Sequence, residues 1–490
     1  MNEGRDFTDR PLSAQSQEIF QASILNHRPA DSRKIFWPLL LVTLGFLPFE
    51  ATAQTPGTKL WEITLPGQVH ASPALGADGT IYVACTVGTS AGGYLKAISP
   101  EGETNWVRFT GAAVDVSSPC IGSDGTIYLG NAKGQLLAFS PDGQTNWIFR
   151  TGELWPVSSA ALGVDGTIYI RAYGMRYDRL YSVSPEGTTN WIITLSLTAG
   201  ETPSQMSSPT IGADGTIYVT SGRSMLFAFS PTGATNWTYS LGSSTHASPA
   251  VAPDGTVYLG ADDKYVYAIS HDGHLKWRYL APGFVESSVA IAADGSVYVG
   301  YYKVGQGGLL PLTPSGEKLW SLDQGSGVSA SPAIDEAGNV YVSELTSGWF
   351  RALDSTGSNI WSFPITTLEA FASPVISTNG TIYVGHGSKL LALVGGSPLP
   401  RCGWPMFRGD SRHTARVPQR GIRCSTPLPD GTFDIFLRTE IGGTYNVQVS
   451  TNLIEWADQS EFTATNWNTS FKRPVGNHLQ EFFRLQGPLN

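Results

Sequence analysis

A phrase of twelve residues returns eight times along this chain of 490 residues, and no other feature limits its fold so tightly. It reads SPALGADGTIYV at 72–83. It comes back as SPCIGSDGTIYL, SAALGVDGTIYI, SPTIGADGTIYV, SPAVAPDGTVYL, SVAIAADGSVYV, SPAIDEAGNVYV and SPVISTNGTIYV. Its tyrosine falls at Tyr82, Tyr128, Tyr169, Tyr218, Tyr258, Tyr298, Tyr341 and Tyr383, in steps of 40 to 49 residues. A second phrase follows each of the first seven copies: an alternating strand such as LLAFS, a Pro-x-Gly type of turn, then a tryptophan. Repeats of roughly 40–50 residues, each carrying several short strands, specify a β-propeller.

Each unit reads as four strands. In the first copy these are SPAL (A), TIYV (B), YLKAIS (C) and TNWVRF (D). Asp-Gly between A and B marks a hairpin turn, because glycine accepts the positive φ such a turn needs. Strands A and B are almost wholly apolar, as strands covered on both faces must be, and one unit cannot cover them alone. The eighth unit supplies A, B and C but no D strand. TKLWEITL (58–65) carries Trp61, 45 residues before Trp106, and is expected to pair as the missing outer strand. The predicted fold is all-β: an eight-bladed propeller closed by an N-terminal strand, with a small all-β module after it.

Residues present in every blade do what every blade needs. Trp61, Trp106, Trp147, Trp191, Trp237, Trp277, Trp320 and Trp361 are therefore read as docking wedges between blades, each indole N–H seeking a backbone carbonyl. The aspartates of the Asp-Gly turns could form a calcium ladder, but turn chemistry already accounts for them.

Charged residues make up 14% of the chain, against 55 Gly, 31 Pro and 14 Trp, which disfavours disorder and long surface helices. With 31 Lys+Arg against 40 Asp+Glu the net charge is −9, which argues against nucleic acid as a partner. Residues 35–49 form a short apolar block after Arg33 and Lys34, and Ala51-Thr52-Ala53 follows as a small-x-small pattern. Together they read as an export signal cleaved after Ala53, with no cysteine there to carry a lipid and no spanning segment left afterwards. The expected layout is a signal segment at 1–53, the propeller at 54–416, a linker at 417–430 and the module at 431–490. Cys402 and Cys424 flank a Pro- and Arg-rich connector that a disulfide would tether, while Cys85 and Cys120 lie in strand-like stretches and read as buried thiols.

The units resemble the PQQ-like repeats of the quinoprotein alcohol dehydrogenase-like propellers. The resemblance rests on SPEGETNW (99–106) and its copies, similar to that family's tryptophan-docking motif, and covers about residues 56–416. CGWPMFRGDSRHTARV (402–417) is also similar to a segment found beside such repeats. The resemblance implies either of two activities. Some members are dehydrogenases that bind pyrroloquinoline quinone (PQQ) and calcium, with an aspartate base and a disulfide between adjacent cysteines. This chain has no Cys-Cys pair and no long roofing insertions. A non-enzymatic relative is the lipoprotein scaffold of bacterial outer-membrane assembly, whose lipidated cysteine is absent here. In the tail, GGTYNVQVSTNLIEW (442–456) and FFRL (482–485) resemble C-terminal modules of secreted planctomycete and verrucomicrobial proteins.

Strand direction shows where a site would lie. The A–B and C–D turns share one tight, uniform face, and the irregular insertions at 84–93, 171–179, 195–207, 301–308 and 343–350 fall on the other. Loops that vary over a repeating scaffold are where binding resides. The residues two before each strand-A serine should ring the axis on that face: His70, Val116, Val157, Met206, His246, Glu286, Ser329 and Phe371, with Asp115 beside Val116. Of these, His70, Asp115, His246 and Glu286 are the candidate loop-face residues, and no catalytic residue or metal ligand is assigned. The expected function is an exported, non-catalytic scaffold, secreted or periplasmic. It would bind a protein or polysaccharide of the cell envelope through its loop face, with no cofactor expected. One alternative is a PQQ- and calcium-dependent dehydrogenase with a degenerate site, using Asp115 or Glu286 as base. A second alternative is a cell-surface adhesion protein that displays the C-terminal module.

Overall fold

The computed structural model describes residues 54–416 except 89–91, 115–116, 153–155, 175–176, 198–206, 223, 304–305, 325–326, 345–346, 366–371 and 401–404. It also describes strands at 20–23, 421–427, 432–438, 444–450, 457–463, 468–474 and 480–489. Asp115, Cys402 and most of the segment read as an export signal lie outside these residues, as does the side chain of Cys424, so the disulfide expectation does too. Contacts divide the chain into two units, Glu50–Pro418 and Met1–Phe49 with Gln419–Asn490.

Among the described residues every regular element is a strand, and no helix is long and apolar enough to cross a membrane. Eight four-stranded antiparallel sheets make the first unit. The first blade runs Ala74–Leu75, Ile81–Thr86, Gly93–Ile98 and Thr104–Phe109, from the axis outward. Its two inner strands are buried throughout, whereas the outer one alternates exposed and half-buried positions. That gradient follows from the architecture. Apolar inner strands lie between two neighbouring sheets, and only the outermost strand meets water on one face.

The eighth sheet joins the two ends of the repeat array. Its order is Lys59–Thr64, Lys389–Val394, Thr381–His386 and Val375–Ile376, with Trp61 opposite Ala392. In seven blades the repeat tyrosine packs on the tryptophan of its own repeat, as Tyr128 does on Trp147 with ring centroids 5.9 Å apart. In the eighth, Tyr383 packs instead on Trp61, at 5.7 Å. The N-terminal strand thus completes the blade that the repeats leave unfinished.

The same tryptophans connect neighbouring blades. The indole N–H of Trp61 donates to the Pro100 carbonyl at 2.8 Å, Trp106 to Pro141 at 2.8 Å and Trp147 to Pro185 at 2.9 Å. Trp191, Trp237, Trp277 and Trp320 repeat the pattern on Pro231, His271, Pro314 and Ser355. Each ring lies over the glycine of the next blade's C–D turn. Trp361 closes the circle on Gly57, where a Cβ would come within 2.9 Å of the indole. Glycine is required there for two reasons, the close ring and the left-handed backbone. At Gly143 φ is 84°, and a Cβ would sit 2.7 Å from the Trp106 ring. We expect Gly143→Ala to cost about 2–3 kcal/mol, from positive-φ strain plus displacement of the indole. A guanidinium unfolding midpoint unchanged from wild type would contradict this.

The Asp-Gly turns use both carboxylate oxygens locally. Asp78 accepts from the Thr80 N–H at 3.0 Å and the Thr80 hydroxyl at 2.8 Å, and Asp124, Asp165, Asp214 and Asp254 do the same with the threonine two residues on. These are Asx turns that hold the hairpin.

The stretch after the last repeat differs from the expected featureless connector. Residues 405–416 cross the propeller against the innermost strands. The N–H groups of Leu75, Ile121, Leu162 and Ile211 donate to the carbonyls of Ser411, Arg412, Thr414 and Ala415, and that of Ile334 donates to Pro405. Met406, Arg408, His413 and Ala415 are buried. Short Gly- and Arg-rich segments show no hydrophobic period, so sequence alone gives this plug no structure.

The second unit holds two sheets. One has four strands, ordered Phe20–Ser23, Gln480–Leu489, Thr444–Ser450 and Ala457–Thr463. The other has three: Gly421–Pro427, Thr432–Arg438 and Asn468–Pro474. Gly421–Pro427 falls inside the stretch read as linker.

Candidate functional site

The axis of the first unit holds a polar cavity of about 140 Å³. Its wall is the strand-A serine of every blade: Ser72, Ser118, Ser159, Ser208, Ser248, Ser288, Ser331 and Ser373. Seven hydrogen bonds link these serines from blade to blade around the axis, with none between Ser159 and Ser208. The backbone N–H of Ser72 donates to Ser118 Oγ, Ser118 to Ser159, Ser208 to Ser248, Ser248 to Ser288, Ser288 to Ser331, Ser331 to Ser373, and Ser373 back to Ser72, all at 2.9–3.0 Å. Seven of the eight hydroxyls, all but that of Ser208, therefore satisfy a buried N–H of the preceding blade, which would otherwise cost on the order of 1–3 kcal/mol.

His70, His246, Glu286 and Ser329 sit one step outward and line the same cavity. His246 Nδ1 lies 3.4 Å from Asp262 Oδ1, and the Ser329 hydroxyl donates to Glu286 Oε2 at 3.4 Å. Val157 is fully buried and does not line the cavity, while Val116, Met206 and Phe371 lie outside the described residues. The structure thus brings together three of the four candidate residues and does not describe the fourth, Asp115.

The plug forms the floor. Phe407 lines the cavity. Beside it the buried Arg408 guanidinium donates from Nη2 to the carbonyls of Ala160 and Pro209, the residues after two ring serines, and from Nε to the His413 carbonyl at 3.3 Å. Burial lowers the Arg408 pKa to about 10, far above neutrality, so the group stays charged. Burial also pushes the Cys120 thiol up to about 12 and His413 down to about 3, Arg408 adding to the latter. His413 is therefore neutral in the fold and charges on unfolding in acid. Its contribution to stability is full above pH 6.5 and is lost progressively as pH falls towards 3, in the same direction as for the buried His386. We expect the urea midpoint to fall between pH 7 and pH 5, and to fall less in His413→Asn. Parallel pH profiles for the two proteins would contradict this.

A family model described as outer membrane protein assembly factor BamB matches residues 50–174 and 176–313, more than half of the chain. The chain belongs to this family. Solved structures similar to this PQQ-repeat propeller include BamB from Moraxella catarrhalis, at 15% identity with a TM-score of 0.55, covering 69% of this chain and 99% of that one. A europium-containing methanol dehydrogenase is similar at 12% identity with a TM-score of 0.54, covering 71% and 85%. The C-terminal WD40 domain of Sif2 is similar at 12% identity with a TM-score of 0.54, covering 70% and 99%. No curated protein matches the chain. At these identities the likeness shows the fold alone, and an assembly factor and a dehydrogenase share it.

Sequence reasoning placed His70, His246 and Glu286 near the axis but missed the roles of the serines and of Arg408. The serines had a signal, since all eight repeats carry one at the same position. Arg408 had none, because its place depends on where a non-repeating segment docks.

Proposed function

We propose that this propeller is an exported, non-catalytic scaffold that binds a protein partner in the cell envelope through its loop-bearing face. The observation that carries the reading is the asymmetry of the ring. One mouth of the axis is occupied by residues 405–416, which tie to five inner strands, while the opposite mouth is wide enough for a polar cavity. Strand direction puts the B–C and D–A loops at that second mouth, and Phe109, Phe284 and Trp349, which lie in or next to such loops, are exposed. Exposed aromatics are the groups that anchor protein interfaces. The family's description as an assembly factor agrees with such a role.

The dehydrogenase alternative needs a calcium ion held by six to eight oxygen ligands with several carboxylates. Among the described residues the side-chain donors at the funnel are one carboxylate, two imidazoles and the serine hydroxyls, and this set does not fit that ion. Among the described residues no group of three or more His, Cys, Asp or Glu side chains converges on a point.

The test is affinity capture from envelope extract with residues 54–490, compared with the triple variant Phe109→Ser, Phe284→Ser, Trp349→Ser. A control variant, Leu275→Ser, alters an exposed residue near the opposite face. The scaffold reading expects one partner that the control keeps and the triple variant loses. Equal capture by all three, or dye reduction by the wild type that depends on added quinone and calcium, would refute it.

A further inference from the structure

The cavity on the propeller axis is lined by hydrogen-bonding groups that the protein itself leaves half used. Seven of the eight ring serines accept a backbone N–H through Oγ. Among the described residues none of the eight hydroxyls donates to a protein group, although all eight serines are buried and line the cavity. A serine hydroxyl has one proton to give. The inner wall is therefore a belt of O–H donors in need of acceptors.

The rim has the opposite need. Glu286 is the one carboxylate on the lining, and its hydrogen bond from the Ser329 hydroxyl is long, at 3.4 Å. A carboxylate accepts at about four lone-pair sites and donates at none, so the rim calls for donors. No Lys or Arg lines the cavity among the described residues, and a carboxylate at its mouth repels an anion. A cation is disfavoured further in, where the hydroxyl protons collect. The group that suits both ends is neutral and both donates and accepts, as an alcohol hydroxyl does. Phe407 adds one aromatic ring to an otherwise polar lining. The volume of about 140 Å³ is close to the roughly 150 Å³ that admits a six-membered ring such as benzene. A pyranose combines these properties, with hydroxyls around its edge and C–H groups on its faces.

We propose that the axial cavity binds one hexopyranose unit, packed on Phe407, with hydroxyls that accept from the ring serines and donate to Glu286. The bonds to Glu286 are charge-assisted and supply most of the directional affinity. The serine belt repeats the same donor at every blade, so it fixes depth on the axis and leaves the choice of sugar to the non-repeating rim. The sugar is either free or the end of a glycan chain that enters from the loop face. This site does not depend on the protein-partner reading above, because that reading rests on exposed aromatics outside the cavity, and either can fail without the other.

The experiment uses residues 54–490 and a direct readout, since sugars raise melting temperatures in general by exclusion from protein surfaces. Saturation-transfer NMR with glucose, galactose, mannose and N-acetylglucosamine, each alone, should give saturable transfer to at least one of them. No saturable transfer to any of the four overturns the proposal. A disaccharide ending in the responding sugar separates the two sources: equal or weaker binding means a free sugar, and stronger binding means a chain end. Glu286→Gln keeps the shape of a half-buried rim residue and should weaken binding by about tenfold. Unchanged binding in that variant would refute the placement. Crystals of the wild-type protein soaked in the same sugar should show its ring on the propeller axis against Phe407. Ordered water alone on the axis, with sugar bound elsewhere, would overturn the site.

Discussion

Removing residues 54–65 is expected to abolish the stable fold of the propeller. The deletion takes away the outer strand of the eighth sheet, Lys59–Thr64, and exposes the edge of Lys389–Val394. It strips Tyr383 of the Trp61 ring and Pro100 of its indole donor, and it removes Gly57 from under Trp361. Two blade-to-blade junctions fail together, on either side of the seam. Large-to-small substitution of one packed tryptophan costs roughly 3 kcal/mol, and a whole domain is stable by only about 5–15 kcal/mol. We expect residues 66–490 to lack a cooperative thermal transition and Trp61→Ala to keep one with a lowered midpoint. A synthetic peptide of residues 54–66, added in trans, should restore the transition. A deletion variant that melts like the longer protein would mean that the strand decorates the ring without closing it.

The second large effect is electrostatic. Arg171 and Asp178 are both buried and form a two-point pair, Nε to Oδ1 at 2.7 Å and Nη2 to Oδ2 at 2.9 Å. Asp178 Oδ2 also accepts the Gly222 N–H of the next blade at 3.0 Å, so the pair bridges two sheets. Removing one partner of a buried pair leaves a desolvated charge and costs about 3–5 kcal/mol, whereas replacing both by apolar groups can be nearly neutral. Asp178→Ala should therefore destabilise by about that amount in guanidinium unfolding, and Arg171→Met with Asp178→Leu should recover most of it. The Lys389–Glu62 pair, 2.6 Å apart but partly exposed on both sides, is the control. Glu62→Gln is expected to cost less than about 1 kcal/mol, because water screens the pair. An Asp178→Ala loss as small as the control's would show that the carboxylate is not the group that offsets Arg171.

Both effects bear on how the ring presents its site. The serine ring, the tryptophan wedges and the closing strand all act between blades, and the cavity exists only where eight blades meet. Any change that opens the seam between Ser373 and Ser72 removes the site as well as stability. The candidate site is thus a property of the closed ring, which no single blade can form.

What the sequence alone determined is whatever each blade repeats. The number of blades, the order of strands, the Asx turns and the joining of Trp61 to the last repeat follow from a 40–49-residue period and from a D strand missing at one end and present at the other. Repetition makes such features legible, since a residue demanded by every blade appears eight times. The tertiary structure decided the parts that do not repeat. Residues 405–416 carry no period, and only docking across the inner strands makes them a plug and buries Arg408. Arg171 and Asp178 sit on one hairpin of one blade, and burial by the neighbouring blade turns a surface-type pair into a bridge. The eight serines were visible as letters, but their shared cavity required closure of the ring, because hydroxyls some 40 residues apart meet only when the blades are set around a common axis.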